Sequence, residues 1–202
     1  MKFCRLPHSS EGWETVSREV HFENGHLAVA TEQVRTPSRS RAQAWTVVHR
    51  KAAVVVAPLT TDGKLILIRQ ERIAIQSAIW EVPAGQIDDA SMADVSTIEA
   101  VALRELREET GCELGPEGDL LPLGHFFSSP GFTDEHGYFF LARGVVAAEG
   151  GHAHEESETI LDCRAFPLRE VGRMIAGNEI RDANTLGICA KLMASGLLDL
   201  SA

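Results

Sequence analysis

Few cysteines and no long apolar run set the first limits on this chain. Cys4, Cys112, Cys163 and Cys189 are scattered without C-x-x-C spacing. That argues against a zinc site and a disulfide framework, and leaves reduced thiols as the default. No apolar stretch approaches the roughly 18 residues of a membrane span; the longest runs from Ala52 to Leu59. The start of the chain lacks a signal-peptide core, so the expected setting is the cytosol. Basic residues are in deficit, 19 Lys and Arg against 29 Asp and Glu, for a formal charge of -10. A general nucleic-acid surface needs a basic stripe, so that class is excluded. An anionic substrate would have to be drawn in locally, by bound metal and a few arginines. Internal repeats and low-complexity segments are also missing.

What is present is a chain of 202 residues, 44% hydrophobic, long enough for one sizeable core with an accessory piece. The first fifty residues read as that piece. Trp13 to Glu23 alternates around Val16, Val20 and Phe22, Asn24-Gly25 offers a hairpin turn, and Leu27 to Arg35 resumes the pattern. Thr36-Pro37-Ser38-Arg39-Ser40 breaks it as a linker, and a new strand begins at Trp45. So small a strand set cannot bury both faces alone and needs a partner surface, on the main domain or on another subunit. The division expected is residues 1–50 as a strand-rich antiparallel module and 51–202 as the main domain.

The main domain opens with Ala52 to Ala57, a continuous apolar run suited to a strand buried on both faces. Asp62-Gly63 turns it into Leu65 to Arg69. Pro83 rules out helix in Val82-Pro83-Ala84-Gly85, and Gly85 lets the backbone approach a ligand closely. Leu120 to His125 and Tyr138 to Ala142 read as strands flanking Ser128 to Glu135, a loop rich in turn formers and too long for a minimal hairpin. Thr159 to Phe166 is the last strand. Pro167 to Ala176 and Asp182 to Leu197 read as amphipathic helices, with Val171, Met174, Ile175, Leu186, Ile188 and Leu192 spaced for burial.

Chemistry concentrates on the stretch from Ser96 to Thr110. It reads as a helix opened by the capping box Ser96 and Glu99 and stopped by Gly111. Glu105, Glu108 and Glu109 are spaced i, i+3, i+4, which places them in an arc of about 100° shared with Ile98, Val101 and Ala102. Carboxylates leaning on an apolar body repel one another and lose hydration. A divalent cation relieves both penalties, and hard oxygen ligands suit magnesium or manganese. The plain alternative is a solvated acidic helix in which Arg104 pairs with Glu108.

The run Arg104, Glu105, Leu106, Glu108, Glu109, Gly111 resembles the signature of the Nudix hydrolases, with Cys112 in place of the usual aliphatic. The front half departs from that pattern: Ala90 and Ser96 stand where the family has a glycine and a glutamate. Gly85, in P-A-G-Q-I-D, is then the box glycine, the loop between Asp89 and Ser96 carries extra residues, and Glu99 is a cap or a displaced stand-in. Ser128 to Glu135, S-P-G-F-T-D-E after its first serine, is similar to the loop of the ADP-ribose pyrophosphatase branch. Ile68 to Ile75 resembles that branch's V-R-Q-Y-R segment, with Glu71 replacing tyrosine.

The resemblance implies an α/β fold, a Nudix α/β/α sandwich around a mixed sheet with the N-terminal module appended. It implies Mg2+-dependent (or Mn2+-dependent) hydrolysis of a nucleoside diphosphate derivative, above all ADP-ribose to AMP and ribose 5-phosphate. GDP-mannose, NADH or FAD, or a non-catalytic nucleotide-sensing role, are the alternatives. It also implies a homodimer through the N-terminal module. Metal ligands would be Glu105, Glu108, Glu109, Glu158 and the carbonyl oxygen of Ala84, with Glu108 and Arg104 also counted in the catalytic group, Arg104 as the residue that holds the glutamates. Glu156 would be the base; in an extended E-E-S-E segment Glu156 and Glu158 point the same way, and a one-residue slip would reverse the pair. Substrate would meet Pro130, Gly131, Phe132 and Arg72, although Arg72 is equally well explained by pairing with Glu71 or Glu81. His152 and His154 read as solvent-exposed.

Overall fold

The structure, a computed structural model, describes residues 6–87, 95–149 and 159–201. An N-terminal antiparallel sheet is built in chain order from β1 (Glu14–Glu23), β2 (Leu27–Thr36) and β3 (Arg39–Arg50). Asn24 closes the first hairpin, its side-chain oxygen accepting from the backbone N–H of His26 and Leu27 at 2.8 and 2.9 Å, the Asx-turn habit of asparagine. The stretch expected as a linker is instead a tight hairpin turn. Thr36 pairs directly with Arg39, Pro37 presets the turn's φ, and the Thr36 and Ser38 hydroxyls meet at 3.2 Å. β3 therefore starts six residues before Trp45, because turn formers crowded into two positions reverse a strand without interrupting the sheet.

The second sheet contains β4 (Ala53–Thr60), β5 (Lys64–Arg72), β6 (Ser77–Glu81), β7 (Ala84–Gln86), β8 (Cys112–Phe127), β9 (His136–Ala147) and β10 (Ile160–Pro167). Its order is β10-β5-β4-β9-β8, with β4 and β9 parallel and the other pairs antiparallel. β4 and β5 pair only at Leu59 and Leu65 and then diverge. β6 lines β5 and β7 lines β4, so the stretch from Ser77 to Gln86 fills the fork. β8 is longer than expected, because Gly115-Pro116-Glu117-Gly118 bulges within the strand between Leu114 and Asp119.

Helices cover both faces. Val54, Val56, Ile66 and Phe140 pack with Ile98, Val101, Ala102 and Leu106 of α1 (Val95–Thr110). Val55, Ala57, Leu65 and Leu67 pack on the other face with Val171 and Met174 of α2 (Leu168–Ala176) and Ile188 and Leu192 of α3 (Ala183–Ala194). Each fully buried aliphatic contributes about 1.5–3 kcal/mol, so the alternation of β4 between two cores makes it the centre of an α/β/α sandwich. No helix among the described residues is long and apolar enough to cross a membrane.

Two helix assignments change. Ser96 is already the second residue of α1, so it does not occupy the cap position. Leu186 is exposed, and Thr185 and Cys189 turn inward with Ile188 and Leu192. The cause is the cap: Asp182 accepts from the backbone N–H and the hydroxyl of Thr185 at 2.7 and 2.8 Å, which sets the rotation of the helix. Cys112, Cys163 and Cys189 are free thiols.

His136 is fully buried beside Phe127 and Tyr138. Its Nδ1–H donates to the Asp134 backbone oxygen at 3.1 Å. Burial holds its pKa below the ordinary 6.5, so the folded protein keeps the ring neutral. The unfolded chain takes up a proton below about pH 6.5, so this group's contribution is lost as pH falls from there towards the folded pKa. Urea midpoints should therefore drop more between pH 7.5 and 5.5 for the wild type than for His136→Gln; equal drops would contradict a neutral His136.

Candidate active site

The site is set where the C-terminal half of α1 meets β7. Ala102 and Leu106 are fully buried, and Glu105 and Glu109, one turn apart from each other and three residues on from Ala102 and Leu106 respectively, turn inward as well, at 7% and 1% exposure. Glu108 lies nearer the rim, with its side chain 29% exposed. Pro83, Ala84 and Gly85 are clamped into the fork by β4: Val55 pairs with Ala84, Val54 with Gly85, and the Val56 N–H donates to the Pro83 carbonyl at 2.9 Å. Pro83 has no N–H to leave unpaired, and its carbonyl is used.

Glu109 accepts at Oε2 from the Ala84 N–H at 2.9 Å. Glu105 lies against Gly85 so closely that a Cβ there would be 2.0 Å from its carboxyl carbon and 2.3 Å from both oxygens. Gly85 does permit a close approach, and the group that approaches in this structure is the Glu105 carboxylate. Arg104 spans the rim, with Nη2 2.7 Å from Glu105 Oε1 and Nε 3.7 Å from Glu108 Oε2. The i, i+4 pair of the plain acidic helix thus exists, but with two of the three carboxylates buried rather than solvated.

Arg72 meets Glu81 through three contacts, Nε at 2.9 and 3.2 Å and Nη2 at 2.6 Å. Glu81 is 2% exposed. Burial pushes its pKa above the usual carboxylate value and the Arg72 bonds only partly reverse that. For Arg72 the bonds to Glu81 outweigh its own burial, with Glu109 and Asp182 adding to the same effect, and the guanidinium stays charged. The pairing alternative for Arg72 is therefore the one present, yet its side chain remains 42% exposed. Sequence reading passed over Glu81 as a site residue. Strand alternation held the signal, since it puts Glu81 on the same face as Ile79, and both are buried.

The Ser128 to Glu135 loop joins β8 to β9. Ser128 Oγ donates to Glu135 Oε2 at 2.7 Å across its base. Pro130, Gly131 and Phe132 are exposed at its tip. The loop lies on β3: Trp45 Nε1 donates to the Gly131 carbonyl at 3.1 Å, and the Val48 N–H to the Phe132 carbonyl at 2.8 Å. Ala53 pairs with Gln86 on one side and Gly137 on the other, so the start of β9, next to the loop's end, and β7, against which Glu105 and Glu109 lie, are two strand spacings apart, roughly 10 Å. Trp45 and the whole of β3 were missed as site elements, for lack of any local signal.

Glu156, Glu158, His152, His154 and the extra residues between Asp89 and Val95 lie outside the described residues. Among the described residues no three His, Cys, Asp or Glu side chains are gathered tightly enough to hold an ion. Arg104 contacts Glu105 and Glu108 from the rim while the Ala84 N–H holds Glu109. In kind the donors still suit a hard divalent cation: carboxylates and a backbone carbonyl, with buried negative charge to offset.

A family model described as the NUDIX domain matches residues 48–186. The chain is 30% identical over 172 residues to an ADP-ribose pyrophosphatase of Bacillus subtilis (strain 168), covering 85% of this chain and 88% of that protein. It is 29% identical over 173 residues to a methanol dehydrogenase activator of Bacillus methanolicus, at 86% and 88% coverage. A solved structure described as an ADP compounds hydrolase superposes with a TM-score of 0.71 at 19% identity, covering 95% of this chain and 100% of that one, a likeness of fold.

Proposed function

Because this chain belongs to the Nudix family and is a hydrolase of nucleoside diphosphate derivatives, we propose that it cleaves the diphosphate of ADP-ribose, giving AMP and ribose 5-phosphate, with magnesium or manganese. The observation that carries this reading is the pair of buried carboxylates, Glu105 and Glu109, held against β7. Negative charge is costly there unless a cation offsets it. The preference for ADP-ribose rests on the Ser128 to Glu135 loop and on the similarity to a protein of that name.

Glu105, Glu108, Glu109, Glu158 and the Ala84 carbonyl would hold the ion, which when bound supplies positive charge to the non-bridging oxygens of the diphosphate. The protein's own groups do the rest. Arg104 steadies Glu105 and Glu108, and the Ala84 N–H orients Glu109. Glu156 takes the proton from the attacking water. That water's oxygen bonds to one phosphorus as the bridging P–O bond breaks, and the departing phosphate leaves as the second product. Arg72, backed by Glu81, offers its exposed edge to phosphate or ribose, and Pro130, Gly131 and Phe132 face the substrate.

The same proposal takes residues 1–50 as a module that joins two copies and 51–202 as the catalytic domain. Trp13, Val16, Val20 and Phe22 are all exposed along or just before β1, an edge strand of the kind that proteins cover. A cytoplasmic setting belongs to the proposal too and rests on the unpaired thiols.

With magnesium, ADP-ribose should yield AMP and ribose 5-phosphate at least about tenfold faster than GDP-mannose, NADH or FAD react, a difference of roughly 1.4 kcal/mol in the barrier. EDTA should stop turnover and added magnesium restore it. Tight binding of a nucleotide diphosphate with no turnover of any would identify a sensor instead.

A further inference from the structure

We infer that His49 is a positioning residue that holds the Ser128 to Glu135 loop in place through Asp134. The inference rests on the reading of that loop as a substrate contact. A row of polar side chains crosses the N-terminal sheet, one from each strand, and ends on the loop. Arg18 of β1 donates through Nε to Glu32 Oε1 at 2.5 Å. The same Glu32 oxygen, on β2, lies 3.2 Å from His49 Nε2 of β3. His49 Nδ1 is 2.6 Å from Asp134 Oδ2. The other oxygen of Asp134 accepts from the Arg50 N–H at 3.0 Å.

Burial makes this arrangement informative. His49 is 4% and Glu32 7% exposed, and buried polar groups need directional partners to offset lost hydration. An apolar contact would join the sheet to the domain without that cost. A carboxylate gripped at both oxygens does something an apolar contact does not, fixing the direction as well as the distance of the segment that carries it. Small residues share the face: Ala28 and Ala30, fully buried, alternate in register with Glu32 along β2. The anchored residue is in the loop and not in a core strand. Its neighbours Pro130, Gly131 and Phe132 remain exposed, so releasing Asp134 would loosen the loop, leaving the Trp45 and Val48 bonds to the Gly131 and Phe132 carbonyls as its remaining ties to β3, while the β2 and β3 ladder stays intact.

Two substitutions separate positioning from bulk. Asparagine carries its amide nitrogen near the place of the imidazole Nδ1 and retains a donor for Asp134; glutamine carries it near Nε2, on the Glu32 side, and leaves Asp134 without that donor. His49→Gln should raise the KM for ADP-ribose about tenfold with kcat within about twofold. Amide exchange across 129–134 should be several-fold faster in the free protein. His49→Asn should stay near wild type in both readouts. Equal effects of the two variants, no effect of either, or a fall in kcat at constant KM would overturn the assignment. Should His49→Gln fail to fold, Asp134→Asn carries the test, with the same rise in KM expected and an unchanged KM counting against the inference. Wild-type protein that does not hydrolyse ADP-ribose would sink the substrate reading, whereas the exchange comparison would still decide whether His49 fixes the loop.

Discussion

Glu109→Gln is expected to fold normally and lose on the order of 10^3-fold in kcat, the upper end of what loss of one preorganised charge-stabilising group costs, because the ion that Glu109 would help hold supplies that stabilisation. Glutamine matches glutamate in shape, and its amide oxygen can still accept from the Ala84 N–H that Glu109 meets at 2.9 Å. The substitution therefore removes charge and little else. A neutral side chain at a position 1% exposed, on the same face as Glu105, also relieves repulsion. The melting temperature should hold or rise. Steady-state kinetics at saturating magnesium, together with a thermal melt, measure both. Activity and melting temperature falling together would make Glu109 a structural residue and undo the metal-site assignment.

Gly85→Ala should also fold and should lose at least about 10^2-fold in activity, the cost associated with displacing a reacting group by about an ångström. The added Cβ would sit 2.0 Å from the carboxyl carbon of Glu105. Strand β7 is tied to β4 by its pairing at Val54 and Val55, whereas the carboxyl is the end of a flexible side chain. The carboxyl therefore moves and the strand stays, at a stability cost of about 1–3 kcal/mol. Gly25 is the control, since nothing lies within 4 Å of its added Cβ and its φ is not in the left-handed region; Gly25→Ala should behave as wild type. Full activity in Gly85→Ala would mean that Glu105 is not needed where the structure places it.

Several elements were legible because their causes are local. Gly111 stops α1 at a φ of +66°, and the interval from Ser128 to Glu135 separates β8 from β9 as its turn formers indicate. Within the apolar run, Ala52 and Val54 to Ala57 are buried, on both faces, because there is no polar position to turn outward. Other errors were local as well. Counting apolar residues could not decide whether Leu186 or Thr185 turns inward, because the Asp182 cap sets that rotation. Pro37 reads as a break in sequence, and only pairing of Thr36 with Arg39 makes it a hairpin turn.

From the amino acids alone came the α/β class, the acidic face of α1, the turn-rich loop and the resemblance that joins them, since periodicity, caps and turn residues act over a few neighbouring positions. The meeting of Ala84 with Glu109, 25 residues on, and of Trp45 with Gly131, 86 residues on, was decided by the fold. So were the Arg72 and Glu81 pair and the row from Arg18 to Asp134. Each depends on how β4 and β5 fork and on which side the N-terminal sheet docks. Those choices are settled by burying apolar faces across the whole chain, and no short stretch carries that information.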